Sequence, residues 1–139
     1  MPAIGVQAAQ QILTENFAAW VQELRLRVES VAADRAVLRL PFSDALVRIG
    51  GTICGQALMS AADTAMVIAL AGAFGGFRPV TTVSQNVTFM RPLAGRDVLV
   101  EARIIRLGKT LAFGEVLLRA DGNERPGAHA TTTYAILPG

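Results

Sequence analysis

The feature that most constrains this chain is a long apolar segment between two glycine pairs, Gly50–Gly51 and Gly75–Gly76. It reads GGTICGQALMSAADTAMVIALAGAFGG and carries one carboxylate, Asp63. A proline-free apolar segment of this length predicts a single helix over residues 54–73, with the second glycine pair ending it. Burying a carboxylate without a partner is costly, so we expect Asp63 to have either a partner or a chemical role.

A helix that is apolar on nearly all sides has to be covered on several of them. It is also long enough to cross a membrane, which takes roughly 20 residues. However, Gln56, Ser60 and Thr64 interrupt its apolar surface, and an aspartate at the bilayer centre costs roughly 3 kcal/mol even on a lenient scale. The sequence therefore predicts a buried core helix and no membrane partner.

The remaining segments predict strands on both sides of this helix. Residues 24–31 and 35–42 alternate between apolar and polar side chains and turn at Asp34, and a helix over residues 6–20 precedes them, with Ile12, Phe17 and Trp20 as core contacts. After the long helix the period stays at two, which predicts four strands in VTTVSQNVTFMRP, RDVLVEARIIRLG, TLAFGEVLLRADG and HATTTYAIL. This order is typical of an α+β fold, with an antiparallel sheet laid across one long helix.

Composition limits the classes of partner. The chain has 139 residues, which we interpret as one domain over residues 1–139, and 52% of them are hydrophobic. That is more apolar surface than one small domain usually hides, which favours self-association. The net charge is only +2 and the basic residues are scattered, so nucleic-acid binding is not expected.

The cysteine content and the N-terminus indicate the compartment. The lone Cys54 cannot form an internal disulfide or a cysteine-based metal site. MPAIGVQAAQ lacks the basic and apolar regions of a secretory signal. A cytoplasmic location is therefore expected, and Cys54 itself is interpreted as a small buried hydrophobe rather than as a reactive thiol.

The segment GTICGQALMSAADTAM, residues 51–66, resembles the signature of the PaaI-like thioesterases, the phenylacetate-degradation branch of the acyl-CoA thioesterases. The family pattern is roughly G-T-V-H-G-G, a short apolar stretch and then L-A-D-T-A. TTVSQNVTFMRPLAG, RIIRLGKTLAF and HATTTYAIL resemble later family segments in the same order. The resemblance covers about residues 36–137 and implies a hotdog fold, in which a curved antiparallel sheet wraps around one long central helix.

The resemblance assigns roles to individual positions of the signature. The family's catalytic carboxylate falls on Asp63, and the glycine whose backbone N–H polarises the thioester carbonyl falls on Gly55. The family histidine is replaced by Cys54 and the glycine two positions after it by Gln56, and both are counted with the substrate-binding positions. Whether Asp63 is the nucleophile or a general base is left open by its spacing.

Further substrate-binding positions follow from the same resemblance. A polar residue that places the attacking water in some relatives falls near Arg48, and a Ser or Thr across the pocket falls near Thr82. Arg106 and Lys109 flank the turn in RLGKT, where relatives often carry basic residues near the phosphates of coenzyme A. The alternatives are a solvated loop charge for Arg48 and ordinary exposed turn charges for Arg106 and Lys109.

Residues 80–92 contain one irregularity that bears on these positions. Gln85 interrupts the apolar row of Val83, Val87 and Phe89, so it either lines the acyl pocket or bonds backbone at a seam between subunits. By the same count Thr82 faces away from that row. It reaches the pocket only if a β-bulge intervenes.

The separation between Gly55 and Asp63 predicts a shared active site. Eight helical residues correspond to about 12 Å along the axis at ~1.5 Å per residue. Both groups need to lie within about 3.5 Å of one reacting centre. If both act on one carbonyl, they must come from different chains, and the resemblance implies the same arrangement in a homodimer or a dimer of dimers.

The sequence thus predicts an acyl-CoA thioesterase for small aromatic or short- to medium-chain acyl groups, with coenzyme A as part of the substrate and no metal or redox cofactor. The alternative is a non-catalytic acyl-CoA-binding hotdog protein, suggested by Cys54 at the histidine position. A hotdog hydratase is disfavoured because such enzymes pair a histidine with an acid. The only histidine, His129, lies far from the helix in sequence.

Overall fold

The computed structural model describes residues 4–138, which form helices packed against one antiparallel sheet. The helices are α1 (Val6–Asn16), α2 (Ala19–Gln22) and α3 (Gly55–Phe74), with a short 3-10 turn at Asp44–Leu46. The strands are β1 (Arg27–Val31), β2 (Arg35–Leu40), β3 (Val80–Phe89), β4 (Val98–Leu107), β5 (Leu111–Ala120) and β6 (Ala128–Ile136).

The long apolar segment forms α3, within one residue of the predicted bounds at each end. Twelve of its 20 residues are buried, and the helix contacts all six strands. It ends at Gly75, which takes up the left-handed conformation (φ 86°) and donates its N–H to the Ala71 carbonyl. By length and composition α3 could cross a membrane, but 67% of its apolar window is buried inside the fold, as expected for a core helix.

The N-terminal region differs from the prediction of one continuous helix. Phe17 is extended (φ −110°, ψ 152°) and separates α1 from α2. Ala9 and Leu13, four residues apart on one face, are the buried contacts of α1, and Ile12 and Phe17 pack at their margin. The expected core contact of Trp20 is wrong, because the extended link turns α2 away and leaves Trp20 57% exposed.

The sheet has the order β1-β2-β4-β5-β6-β3, and every neighbouring pair is antiparallel. One face packs on α3, and its residues alternate with outward-facing ones along β5 and β6. Three strand pairs contain a register shift, which bends a sheet and helps it to curve around a helix. β1 and β3 are the two edges.

The register shift in β3 positions the residues of the site. Thr82 pairs with Tyr134 and Ser84 pairs with Thr133, so Val83 is an extra residue without a counterpart in β6. This bulge reverses the alternation of side chains. Thr82 and Gln85 consequently both face α3, and the bulge on which the pocket position of Thr82 depended is present.

Candidate active site

Asp63 lies in the middle of α3, on the side of the helix that faces β3 and β6. Its Oδ1 atom accepts a hydrogen bond of 2.6 Å from the Tyr134 hydroxyl and one of 2.9 Å from Thr82 Oγ1. The Tyr134 hydroxyl oxygen also lies 3.3 Å from the Asp63 backbone carbonyl oxygen. Among residues 4–138 no lysine, arginine or histidine forms an ion pair with Asp63. Two neutral hydroxyl groups therefore hold this carboxylate.

Strand pairing brings the two hydroxyl groups together. Thr82 and Tyr134 are directly opposite each other in neighbouring strands, and the bulge at Val83 turns Thr82 to the side that Tyr134 already occupies. Tyr134 is fully buried. Tyr134 was not among the predicted site residues. The one sequence feature that could have indicated it is that it is the only tyrosine of the chain and lies in the alternating segment HATTTYAIL.

The environment of Tyr134 keeps its hydroxyl group protonated. Burial raises the pKa of the Tyr134 phenol far above its usual value, and the negative charge of the neighbouring Asp63 raises it further. A neutral phenol is a hydrogen-bond donor at every pH at which the protein would work. The Tyr134 hydroxyl therefore keeps the proton that it donates to Asp63 Oδ1.

Gly55 is the first residue of α3. The preceding Cys54 caps the helix without a side-chain hydrogen bond, and the first intrahelical bond is donated by Leu58 to the Cys54 carbonyl. The N–H groups of the first helical turn lack intrahelical acceptors and lie at the positive end of the helix dipole. This is suitable geometry for stabilising a developing oxyanion.

The absence of a side chain at Gly55 also matters. A Cβ atom at this position would lie 3.2 Å from the ring of Phe89, which is closer than ordinary van der Waals contact. Phe89 is at the end of β3, and 50% of it is exposed. Gly55 therefore belongs to the Phe89 end of β3, whereas Asp63 belongs to the Thr82 end.

A cavity of about 380 Å³ opens beside Gly55. Apolar side chains such as Leu58, Phe89 and Leu93 form much of its wall, and two cations, Arg48 and Arg91, line it without any acidic residue. Arg48 donates to the Ile49 carbonyl and Arg91 to the Pro126 carbonyl, each at 2.7 Å. Arg48 thus lines the same cavity as Gly55, and its substrate-binding role stays a prediction. Arg91 is a cavity residue that the sequence did not indicate.

The other predicted positions are distributed differently. Cys54 and Gln56 flank Gly55 in the chain but do not line this cavity, and Gln56 is exposed. Arg106, near the end of β4, and Lys109, in the turn between β4 and β5, are both exposed. Their substrate-binding roles remain predictions.

The β4–β5 turn lies at the Asp63 end of the sheet. Strand pairing aligns Thr82 with Tyr134, Tyr134 with Ala112, and Ala112 with Leu107. Arg106 precedes Leu107, the last residue of this row, and Lys109 comes two residues after it. They therefore lie at the same end of the sheet as Thr82, three strands away from it.

Gln85 connects β3 to the turn of α3 that precedes Asp63. Its Nε2 atom donates to the Met59 carbonyl at 3.0 Å, so it bonds backbone, as one of the two earlier interpretations required. Its Oε1 atom and the Oγ1 atom of the opposite residue, Thr132, are buried without a partner among the described residues. The hydrogen bond from Gln85 to the Met59 carbonyl joins α3 to β3 close to the Asp63 carboxylate.

Within one chain the two predicted catalytic groups do not share a cavity. Gly55 lines the cavity with Arg48, and Asp63 does not. The helical separation of about 12 Å between them agrees with this difference. The two predicted half-sites of one chain thus lie at opposite ends of β3.

The six-stranded curved sheet around one long central helix is the hotdog fold, as the sequence predicted. The sequence model of the thioesterase superfamily matches residues 50–126, which include α3 and the strands β3, β4 and β5. The chain belongs to the thioesterase superfamily, whose general activity is thioester hydrolysis.

Known relatives agree with this family. An inferred esterase of Thermoplasma volcanium is 30% identical over 117 residues, covering 84% of this chain and 86% of that protein. An inferred thioesterase of Silicibacter has a similar structure, with a TM-score of 0.88 and 30% identity over 99% of this chain and 95% of that one. A point mutant of the phenylacetic acid degradation protein PaaI from Thermus thermophilus gives a TM-score of 0.76 and 26% identity over 86% of this chain and all of that one.

Proposed function

We propose that this protein is a PaaI-like acyl-CoA thioesterase that hydrolyses small aromatic or short- to medium-chain acyl-CoA to the carboxylic acid and coenzyme A. The observation that carries the proposal is the pairing of two half-sites in one family fold. One is a carboxylate held by two hydroxyl groups, and the other is an uncapped helix N-terminus beside a cavity. No metal or redox cofactor takes part.

The chemistry follows from these groups. The N–H of Gly55 donates to the thioester carbonyl oxygen and stabilises the negative charge that forms there. Asp63 either attacks the carbonyl carbon itself or takes a proton from the water that attacks. On either route the tetrahedral intermediate expels the thiolate of coenzyme A, which takes up a proton. Water attack gives the carboxylic acid at once, whereas direct attack leaves an anhydride between the acyl group and Asp63. Water then attacks the Asp63 carbonyl carbon of this anhydride, which releases the acid and restores the carboxylate. Single turnover in ¹⁸O-labelled water separates the routes, since only direct attack transfers the label to Asp63.

The edge strand β3 suggests how two chains assemble the site. β3 is ten residues long and pairs only with β6, which leaves its other side open to another strand. Two copies of β3 can pair antiparallel about a two-fold axis, as in isologous dimers. The exposed apolar side chains Val83 (59%), Phe89 (50%), Met90 (46%) and Met59 (40%), on or next to β3, provide surface for that contact.

The register of this pairing follows from the two half-sites. Thr82 marks the Asp63 end of β3 and Phe89 marks the Gly55 end. A two-fold axis between Gln85 and Asn86 would set Thr82 of each copy opposite Phe89 of the other. The same operation brings each Asp63 toward the other chain's Gly55, so one dimer forms two equivalent sites.

The charged positions suggest how coenzyme A is held. Its phosphates are anionic, and the exposed Arg106 and Lys109 provide cations at the Asp63 end of the sheet. Arg48 provides one at the Gly55 end, within the cavity. The apolar wall of that cavity suits an acyl group. We also propose that two dimers assemble into a tetramer and that the protein works in the cytoplasm.

A second candidate function is non-catalytic acyl-CoA binding. It is favoured by Cys54, a free and half-buried thiol at the position of the family histidine. Such a protein would keep the cavity and the cations without turnover. The two functions differ in whether Asp63 takes part in hydrolysis of the thioester.

Replacement of Asp63 by asparagine tests the proposal. We expect Asp63→Asn to lower kcat on the best acyl-CoA of a panel by at least ~100-fold, because it removes a positioned acid–base group. Release of free coenzyme A is followed with a thiol reagent, and circular dichroism checks the fold. Asp44→Asn, which neutralises an exposed carboxylate in the 3-10 turn, should retain full activity.

Two outcomes would change the conclusion. Binding of acyl-CoA without turnover by the wild type, across aromatic and aliphatic acyl groups, establishes the second candidate function. Equal kcat in the wild type and Asp63→Asn removes Asp63 from the mechanism.

A further inference from the structure

We propose that Tyr134 is a positioning residue that holds one oxygen of the Asp63 carboxylate so that the other oxygen, Oδ2, is the one that reacts. The inference rests on the proposed catalytic function of Asp63. It adds a residue from β6, a strand to which the sequence assigned no site residue.

The contacts of the carboxylate are unequal. Both hydroxyl groups, those of Tyr134 and Thr82, donate to Oδ1. Oδ2 accepts no hydrogen bond from the described residues, and this atom is not buried. It is therefore accessible, and it is the oxygen that can meet a substrate carbon or a water molecule.

The donors are placed to fix the direction in which Oδ2 points. Tyr134 is fully buried in the core, with its ring held between α3 and the sheet, so its hydroxyl group has little freedom. The hydroxyl lies close to both Oδ1 and the backbone carbonyl of Asp63, at 2.6 and 3.3 Å. Thr82 approaches from the neighbouring strand. A carboxylate held from two strands cannot rotate without breaking one of these bonds.

The neutrality of the donors is also informative. An arginine or lysine in contact with a carboxylate strongly favours its ionised form and so weakens it as a base or nucleophile. Hydroxyl groups orient the carboxylate and stabilise its charge to a smaller degree. The arrangement thus holds Asp63 in place while its free oxygen keeps its reactivity.

A purely structural role is the competing explanation. A buried tyrosine hydroxyl needs an acceptor, and Asp63 could serve only to satisfy it. Under that explanation, loss of the hydroxyl changes stability but not the chemistry of the carboxylate. Tyr134→Phe separates the two roles, because it keeps the buried ring and removes the donor.

For Tyr134→Phe we expect kcat to fall by at least ~10-fold with KM within about threefold, as expected for loss of a group that orients a catalytic carboxylate. Thr133→Val, the neighbouring residue on the outer face of β6, is the matched control and should change neither quantity.

A second readout does not depend on turnover. The carboxyl carbon of Asp63 is labelled with ¹³C, assigned by its loss in Asp63→Asn, and its NMR chemical shift is compared among the variants at one fixed pH. The chemical shift should change in Tyr134→Phe, because the carboxylate loses a hydrogen-bond donor, and stay constant in Thr133→Val. An unchanged kcat in Tyr134→Phe overturns the inference. A wild type that hydrolyses no acyl-CoA defeats the proposed function, while the chemical shift still decides whether Tyr134 donates to this carboxylate.

Discussion

Gly55 contributes to the proposed reaction through its backbone alone, so ordinary side-chain substitutions cannot remove its contribution. Proline can, because it has no N–H. It is also favoured at the first position of a helix. Cys54, with φ −68° and ψ 149°, already has the extended conformation that a residue before proline prefers. The structure therefore permits deletion of one hydrogen-bond donor with little change to the helix.

We expect Gly55→Pro to lower kcat by about 100- to 1,000-fold, the usual effect of removing one oxyanion donor. Gly55→Ala is the matched control, because it keeps the N–H and adds a Cβ atom at the same distance from Phe89. It should retain kcat within about tenfold of wild type. Steady-state thioester hydrolysis measures both, and an equal loss in the two variants would point to crowding against Phe89 rather than to the lost donor.

The positions that could be predicted from the sequence are those that depend on a contiguous pattern. Asp63 and Gly55 belong to one signature on one helix, so their separation follows directly, while their catalytic roles stay predictions. The contact of Thr82 with Asp63 depended on a bulge that periodicity alone does not reveal. Tyr134 was missed because its contact depends on pairing between β3 and β6, which are distant in sequence.

At the scale of elements, α3 was predicted to within one residue because an apolar run bounded by glycines is a strong local signal. The helix over residues 6–20 was only partly correct. No proline or glycine marks the break at Phe17 in the sequence. The position of α1 is set instead by the packing of Ala9 and Leu13 on the core. Local periodicity therefore located the buried helix better than the peripheral one.

The C-terminal part of α3 makes a close contact with the turn between β1 and β2. A Cβ atom at Gly72 would lie 2.6 Å from the Ala32 carbonyl oxygen and 2.8 Å from a methyl group of Val31. We expect Gly72→Ala to destabilise the fold by about 1–2 kcal/mol, because overpacking outweighs the gain in helix propensity. Urea unfolding measures the change. Gly55→Ala, the other glycine of α3, meets only the exposed Phe89 ring and should lose less, so equal losses would contradict the contact.

At the scale of the whole molecule, the proposed site needs two chains, and mixed dimers test this directly. Dimers of one Asp63→Asn chain and one Gly55→Pro chain are isolated with two different affinity tags. One of their two sites carries both substitutions and the other carries neither, so they should recover about half of the wild-type activity per dimer.

Each variant alone should remain nearly inactive, which provides the baseline. If both groups acted within one chain, the mixed dimer would have no intact site and no activity would return. Recovery thus establishes the sharing of the site independently of any estimate of mass.

The extra residue in β3 has a consequence for how this strand can change during evolution. Thr82 is opposite Tyr134 and Ser84 is opposite Thr133, so deleting Val83 would leave a regular ladder in which Thr82 and Gln85 are two residues apart and still face α3. A descendant that lost this residue would have a straighter strand and the same two donors to Asp63. Losing a second residue between Thr82 and Gln85 would instead turn one of these two side chains to the outer surface, so the strand tolerates the first deletion and not the next.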